Sequence, residues 1–167
     1  YLTKEEVSSP TAQLESMILS MIIDGYEGRD IATADVVGAY LQTFMTDEVM
    51  VKFSGKNAEI MCKVNKTYEK YITLEGKKRQ VIYMRLNKAL YGCMQTALLW
   101  YRTYHDELRN MGLKINKYDP CVANAVINGS QATICWYVND SKISHKDPEV
   151  VTKIIKRLEE RFDTMAV

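Results

Sequence analysis

The sequence has few of the histidines and cysteines that build zinc and thiol sites. Its 167 residues include only two histidines, His105 and His145, and four cysteines. It contains no C-x-x-C pair, no H-E-x-x-H motif and no Cys/His group at zinc spacing. These absences exclude the common zinc sites and dithiol redox motifs. We therefore expect the cysteines to be reduced thiols of an intracellular protein.

A long apolar run and an excess of charge of one sign are also missing. Because no stretch of 18 apolar residues and no signal peptide is found, the sequence predicts neither secretion nor a membrane span. The formal net charge is +1, so any nucleic-acid partner has to be held by local basic patches. The length predicts a single domain over residues 1–167, and the start at Tyr1 without methionine is expected of a fragment.

Three segments have the apolar spacing of helices. The first runs over about residues 9–24, with Ser9 as the predicted N-cap, an apolar stripe and Gly25 as the stop. The second covers about residues 95–110. The third begins after Asp147, a predicted N-cap that is followed by proline in the first turn.

Strand patterns lie between these helices. In the middle of the chain, residues 46–76, a strand pattern is mixed with a charged stretch. The predicted strands cover residues 30–36, 49–53, 80–86, 132–138 and 142–145. Asn128-Gly129, between two apolar runs, predicts a hairpin with a type I′ turn. This order predicts an α+β fold, in which helices pack on one face of an antiparallel sheet.

Two aspartates stand at the ends of apolar strands. Asp35 follows the first strand, and Asp140 follows a tight turn between two later strands. Carboxylates that meet at a sheet edge suit Mg²⁺, and two such ions about 3.5–4 Å apart can stabilise both oxygens of a phosphoryl transfer. From the residues alone, an aspartate in a turn is more often a partner of the local backbone than a metal ligand.

Four blocks of sequence give these aspartates a context. In order they are 34–41 (ADVVGAYL), 85–95 (RLNKALYGCMQ), 118–121 (YDPC) and 137–140 (YVND). They resemble the D-V-x-x-A-F/Y-L, R-L-x-K-A-L-Y-G-x-x-Q, Y-D-P-C and Y-V-D-D blocks of copia-type LTR retrotransposon reverse transcriptases. The resemblance implies a polymerase palm with a ferredoxin-like core and part of the fingers, and an RNA-directed DNA polymerase that uses two Mg²⁺ ions.

The resemblance also implies roles for individual residues. Asp35 and Asp140 are the expected catalytic metal ligands, and Asn139 stands where the family has the first aspartate of Y-V-D-D. Tyr40 resembles the aromatic gate that lies under the incoming sugar and favours deoxynucleotides. The expected contacts to nucleotide and template are Tyr91, Gly92 and Gln95.

Asn139 removes one negative charge from the expected metal site. One unit-charge pair at about 4 Å and an effective dielectric near 20 contributes about 4 kcal/mol. A loss of about 4 kcal/mol in transition-state stabilisation corresponds to roughly a thousandfold in rate. We therefore predict that this copy polymerises very poorly or not at all.

A basic stretch supplies the expected contacts to phosphates, although a solvated loop would have the same composition. Its residues are Lys77, Lys78, Arg79, Arg85 and Lys88. Ala97 and Leu98 stand where the family usually has proline and arginine, which puts the template contacts in doubt.

Partners are also implied by the resemblance: an RNA or DNA template–primer, dNTPs, and the integrase and ribonuclease H of a Pol polyprotein, with no membrane. The family's thumb and ribonuclease H lie outside this sequence. The expected location is a cytoplasmic virus-like particle, with the nucleus as an alternative. Two other functions stay open: an inactive copy that only binds nucleic acid, and an RNA-recognition sheet using Trp136 or Tyr137.

Overall fold

A computed structural model describes residues 7–76, 79–163 and 165–167. These described residues form two compact units, a larger one within residues 7–43 and 89–167 and a smaller one within residues 44–88. The helices and strands in chain order are α1 Leu14–Glu27, β1 Asp30–Val36, β2 Met50–Ser54, α2 Lys56–Val64, β3 Thr73–Glu75, β4 Arg79–Arg85, α3 Thr96–Asn110, β5 Lys114–Ile115, β6 Val122–Ile127, β7 Ser130–Tyr137, β8 Asp140–His145, α4 Pro148–Phe162 and β9 Met165–Ala166. In the described part of the chain, no helix is long and apolar enough to cross a membrane.

The larger unit is built on an antiparallel sheet of six strands in the order β5-β6-β7-β8-β1-β9. Its core is rich in aromatic side chains. Trp100 and Tyr104 of α3 pack with Phe162 of α4, and Ile134 and Ile143 of the sheet are fully buried in the same cluster. The predicted α+β class and antiparallel sheet are confirmed.

Helices cover both faces of this sheet. Successive side chains of a strand point to opposite faces, so Ser141 and Lys142 of β8 identify the two sides. The hydroxyl groups of Tyr104 in α3 and Ser141 lie 2.6 Å apart. Lys142 instead donates to Ser20 and Asp24 of α1. α3 and α4 therefore lie on one face of the sheet, as predicted, whereas α1 packs on the other face, which the sequence analysis did not predict.

Local turn and cap chemistry behaves as the sequence predicts. Asn128 and Gly129 both have positive φ, of 51° and 76°, in the two-residue turn between β6 and β7. Asp147 caps α4 by accepting a hydrogen bond from the backbone N–H of Glu149 at 2.9 Å. These features need only neighbouring residues, and the structure confirms them.

The predicted bounds of α1 were wrong at both ends. The helix begins at Leu14 rather than after Ser9, because the N–H of Gln13 donates to the buried Asp119 carboxylate at 2.9 Å and residues 9–13 stay outside the helix. Gly25 lies within the helix, and Gly28, at φ +63°, ends it. The apolar stripe of α1 is mostly exposed, and its buried residues are polar.

The smaller unit is a three-stranded antiparallel sheet in the order β2-β4-β3 with α2 on one face. Ala58 and Cys62 of α2 pack against Ile82 of β4 in a small separate core. The strands predicted near 49–53 and 80–86 are confirmed. The sequence did not predict α2, which lies in the part of the chain whose pattern was mixed.

Candidate active site

Asp35 and Asp140 face each other across two neighbouring strands. The antiparallel register of β1 and β8 pairs Asp35 directly with Asp140 at the end of both strands. Residues directly opposite in such a pair project from the same face, with Cβ atoms about 5 Å apart. Asp140 is exposed and Asp35 is half-buried. The structure therefore brings together two carboxylates that are distant in sequence.

Asn139 lies in the two-residue turn between β7 and β8. Its backbone carbonyl accepts a hydrogen bond from the N–H of Val36 at 3.1 Å. Val138, the other turn residue, has φ +57°, which is unfavourable for a β-branched side chain. The indole N–H of Trp100 donates to the Val138 carbonyl at 2.7 Å. These two hydrogen bonds hold the turn against β1 and α3.

The side chain of Asn139 reaches Asp35. Its amide nitrogen donates a hydrogen bond to one carboxylate oxygen of Asp35. An aspartate at this position would present a second carboxylate to Asp35 instead of a donor. With asparagine, a contact between two anions is replaced by a hydrogen bond from a neutral amide to the Asp35 carboxylate.

The donors at this edge suit Mg²⁺ in kind but are reduced in charge. Carboxylate and amide oxygens are the hard ligands that Mg²⁺ binds. Here Asp35 and Asp140 supply two negative charges, and one Asp35 oxygen is already engaged by the Asn139 amide. Across residues 7–76, 79–163 and 165–167, no group of three or more His, Cys, Asp or Glu side chains is arranged to hold a metal ion.

A pair of tyrosines lies beyond β1. Tyr40 is in the short 3-10 helix Ala39–Gln42, which begins after Gly38 at φ +63°. Its ring centroid lies 4.4 Å from that of Tyr91, with the planes tilted by 52°. Burial, and then the nearby Tyr91 hydroxyl, raise the pKa of Tyr40 above its ordinary value. The two predicted nucleotide contacts therefore form one aromatic surface.

The segment that carries Tyr91 is fixed at both ends. The N–H of Ala89 donates to the Thr43 carbonyl at 2.8 Å, and the Thr96 hydroxyl donates to the Leu90 carbonyl at 2.9 Å. Within it, Gly92 is exposed with φ +93°, and Gln95 is the N-cap residue of α3. The three predicted contact residues thus lie on one short, anchored connection.

The basic residues belong to the smaller unit. Arg79 and Arg85 are exposed at the two ends of β4, and Lys88 lies with its ammonium 5.5 Å from the ring centroid of Phe44. Lys77 and Lys78 lie outside the described residues. The exposure of the three described cations fits a phosphate-binding role, which stays a prediction.

A buried charge cluster beside the site was missed from the sequence. Lys142, two residues after Asp140, donates to the carboxylate of Asp24, and both side chains are almost fully buried. Arg29 donates to Thr133 at 3.0 Å and lies 3.7 Å from Asp24. The cluster therefore joins α1 to β7 and β8. The lysine at the start of the strand predicted over residues 142–145 was the available signal.

The two aromatic residues considered for an RNA-recognition sheet point to opposite sides. Trp136 is buried in the core against Tyr101 and Tyr104, whereas Tyr137 is exposed and pairs with Asp140. Trp136 is therefore closed to a base, and a platform of adjacent exposed rings is not formed by these two residues.

Comparison with known proteins gives the same family as the motifs. Residues 1–167 match the family described as reverse transcriptase (RNA-dependent DNA polymerase). The truncated transposon Ty1-A Gag-Pol polyprotein of Saccharomyces cerevisiae is 34% identical over 85 residues, which cover 50% of this chain and 7% of that protein. The Ty1-DR5 and Ty1-LR2 Gag-Pol polyproteins of the same yeast are also 34% identical over 85 residues. The aligned residues make up 50% of this chain and 5% of each polyprotein. No solved structure gives a significant match.

The matched region spans only a small part of these polyproteins, but the family match covers the whole chain. The order of the four sequence blocks and the pairing of Asp35 with Asp140 agree with it. The chain therefore belongs to the reverse transcriptase family, as a region of the copia type found in LTR retrotransposons.

Proposed function

We propose that this chain is the palm, with part of the fingers, of a polymerase that adds deoxynucleotides to a primer on an RNA or DNA template. In this proposal it works within a longer Gag-Pol polyprotein, alongside integrase and ribonuclease H, in a cytoplasmic virus-like particle. The observation that carries the proposal is the direct pairing of Asp35 with Asp140 at the end of β1 and β8.

Asp35 and Asp140 would hold the magnesium, which when bound stabilises the charge of the transferring phosphoryl group. The chain's own residues supply the rest of the site. Tyr40, with Tyr91 against its ring, would contact the sugar and disfavour a 2′-hydroxyl. Trp100 fixes the turn that carries Asn139, through the Val138 carbonyl.

Asn139 makes this copy a poor enzyme in the proposal. Its amide donates to Asp35 and brings no charge to the metal. The same contact favours a second candidate, an inactive copy that retains only nucleic-acid binding. The two candidates differ in whether any template-directed extension remains.

Primer extension with the full-length polyprotein in Mg²⁺ tests the proposal. We expect Asn139→Asp to raise the rate by roughly a thousandfold, because about 4 kcal/mol of electrostatic stabilisation is restored. Asn128→Asp is the matched control, since it adds the same charge in another hairpin turn and should leave the rate unchanged.

We call the polyprotein with Asn139→Asp the restored polyprotein. Adding Asp35→Asn to it should abolish primer extension again. Equal rates for the natural and restored sequences would contradict the impairment by Asn139. A restored polyprotein that extends no primer would contradict the polymerase proposal itself.

A further inference from the structure

A cavity in the larger unit reaches the turn between β7 and β8. It lies among the segment that precedes α1, the first turns of α3 and the end of β7, and its volume is about 220 Å³. Because three of the side chains that line it are aromatic, we call it the aromatic cavity. Its lining includes Pro10, Ala97, Trp100, Tyr101, Trp136 and Val138.

The lining of the aromatic cavity is mostly apolar and carries no charge. Among the residues that the structure describes, no Lys, Arg, Asp, Glu or His lines it. The Trp100 indole N–H is already donated to the Val138 carbonyl at 2.7 Å, and the Tyr101 hydroxyl donates to the Pro120 carbonyl at 3.2 Å. These rings therefore offer apolar surfaces rather than free donors.

The outer wall of the aromatic cavity is held in place. Residues 9–13 stay outside α1, and the Gln13 N–H donates to the buried Asp119 carboxylate at 2.9 Å. Trp100 and Trp136 are only 1% and 2% exposed. Thr11, which also lines the cavity, is exposed. The cavity therefore opens to solvent at the segment before α1 and ends on the two buried indoles.

We propose that the aromatic cavity binds a neutral, planar aromatic molecule of one or two fused rings. An apolar cavity of about 150 Å³ stays dry and takes up benzene. The larger volume here, about 220 Å³, admits a second ring. Contacts between ring edges and faces favour an aromatic ligand. Because Val138 lines the cavity, such a ligand lies against the turn that carries Asn139.

NMR spectroscopy of the ¹⁵N-labelled chain, titrated with unlabelled 5-fluoroindole, tests this inference. The chain has two tryptophans and both line the cavity, so both indole N–H signals should shift with the same dissociation constant. The backbone signals of Val138 and Asn139 should shift with them. The Asn128-Gly129 turn lies at the other end of β7 and is the internal control, whose signals should stay unchanged.

Substitutions at Ala97 test whether the ligand occupies this cavity. Ala97 has the smallest side chain in the lining and stands in the first turn of α3, where the family usually has proline. We expect Ala97→Phe to weaken binding of 5-fluoroindole at least about tenfold, because the new ring takes the place of the ligand. Ala97→Ser is the matched control, since it keeps the size of the side chain and should bind within about twofold of the unchanged chain.

A charged probe of similar shape tests the chemistry of the ligand. Indole-5-carboxylate should bind at least about tenfold more weakly than 5-fluoroindole, because its charge would lose water without gaining a cation. Equal binding of the two probes would contradict a neutral ligand.

Thermal unfolding of free Ala97→Phe shows whether that variant folds. If it does not fold, the pattern of shifts in the unchanged chain decides by itself. The inference is overturned if no signal shifts at millimolar 5-fluoroindole, if the indole signals stay unchanged while others move, or if folded Ala97→Phe binds as the unchanged chain does. Primer extension enters none of these measurements, so their outcome is independent of the polymerase proposal.

Discussion

Tyr104 links the aromatic core to the strand that carries Asp140. Its hydroxyl lies 2.6 Å from that of Ser141, the residue after Asp140, and the side chain is fully buried. Burial raises the pKa of Tyr104 to about 12, against an ordinary value near 10. A buried phenol with one neutral partner has little to stabilise its ionised form.

This raised pKa makes the fold sensitive to alkali. Because the folded state holds the phenol proton more tightly than the unfolded state, stability is intact below pH 10 and falls as the pH rises toward 12. At pH 11 the loss attributable to Tyr104 is about 1.4 kcal/mol. Tyr104→Phe should remove that part of the fall, measured by urea unfolding at pH 8 and pH 11.

The exposed Tyr118 provides the control for this measurement. Tyr118→Phe should leave the difference between the two pH values as it is in the unchanged chain. An unchanged alkaline loss in Tyr104→Phe would show that other groups, such as the buried Cys121 thiol, account for all of it. Burial also raises the pKa of Cys121 to about 12.

At the scale of elements, α1 is held by charge rather than by apolar packing. Its buried residues are Ser20 and Asp24, while Leu14, Ile18 and Ile22 are exposed. Asp24 accepts from Lys142 of β8 and lies 3.7 Å from Arg29, which also pairs with Glu27 at 3.1 Å, so two carboxylates balance two buried cations. Such clusters fix the position of an element more than they stabilise it.

Removing only Asp24 should destabilise the protein more than removing both Asp24 and Lys142. We expect Asp24→Leu to destabilise the protein by about 3–5 kcal/mol, because Lys142 is left as a buried cation without a carboxylate, whereas Arg29 keeps Glu27. Lys142→Met should be milder, since Asp24 keeps Arg29. The double variant should be more stable than Asp24→Leu alone. Urea unfolding of the four proteins gives the comparison as a double-mutant cycle.

A more exposed ion pair, between Glu27 of α1 and Lys146 after β8, is the control. Lys146 lies 3.7 Å from Glu27, and Lys146→Met should change stability by less than about 1 kcal/mol because the pair is largely solvated. If Asp24→Leu has an effect as small as this one, the buried cluster is not what holds α1.

At the scale of the whole molecule, the smaller unit is an insertion into the larger one. The chain leaves the larger unit at Thr43 and returns at Ala89, and the Ala89 N–H donates to the Thr43 carbonyl at 2.8 Å. The two ends are therefore adjacent without residues 44–88. The larger unit also has its own sheet and core.

Replacement of residues 44–88 by a Gly-Ser linker of about four residues should leave the larger unit folded, because the ends already meet. We expect one cooperative urea transition with native tryptophan fluorescence, since Trp100 and Trp136 both lie in the retained core. The same replacement with Leu158→Ala should be less stable by about 2–5 kcal/mol. A non-cooperative transition in the linker protein would show that its core needs the insertion.

The sequence by itself determined the features that depend on neighbouring residues and on the family motifs. Apolar spacing, the Asn128-Gly129 turn and the Asp147 cap were enough to predict β1, the β6–β7 hairpin and α4. The family blocks were enough to select Asp35, Asn139 and Asp140. The apolar residues of segment 46–76 showed no clear helical or strand spacing, so α2 was not predicted.

Only the tertiary structure decided which partners distant residues find. The apolar spacing of α1 predicted a helix. Its polar side is the buried one because Asp24 pairs with Lys142, which lies more than a hundred residues away in the sequence. The Asn139 amide meets Asp35, and Tyr91 meets Tyr40, only because strand register and an anchored segment bring them together. Local periodicity holds no information on such contacts, since they depend on how the whole sheet pairs.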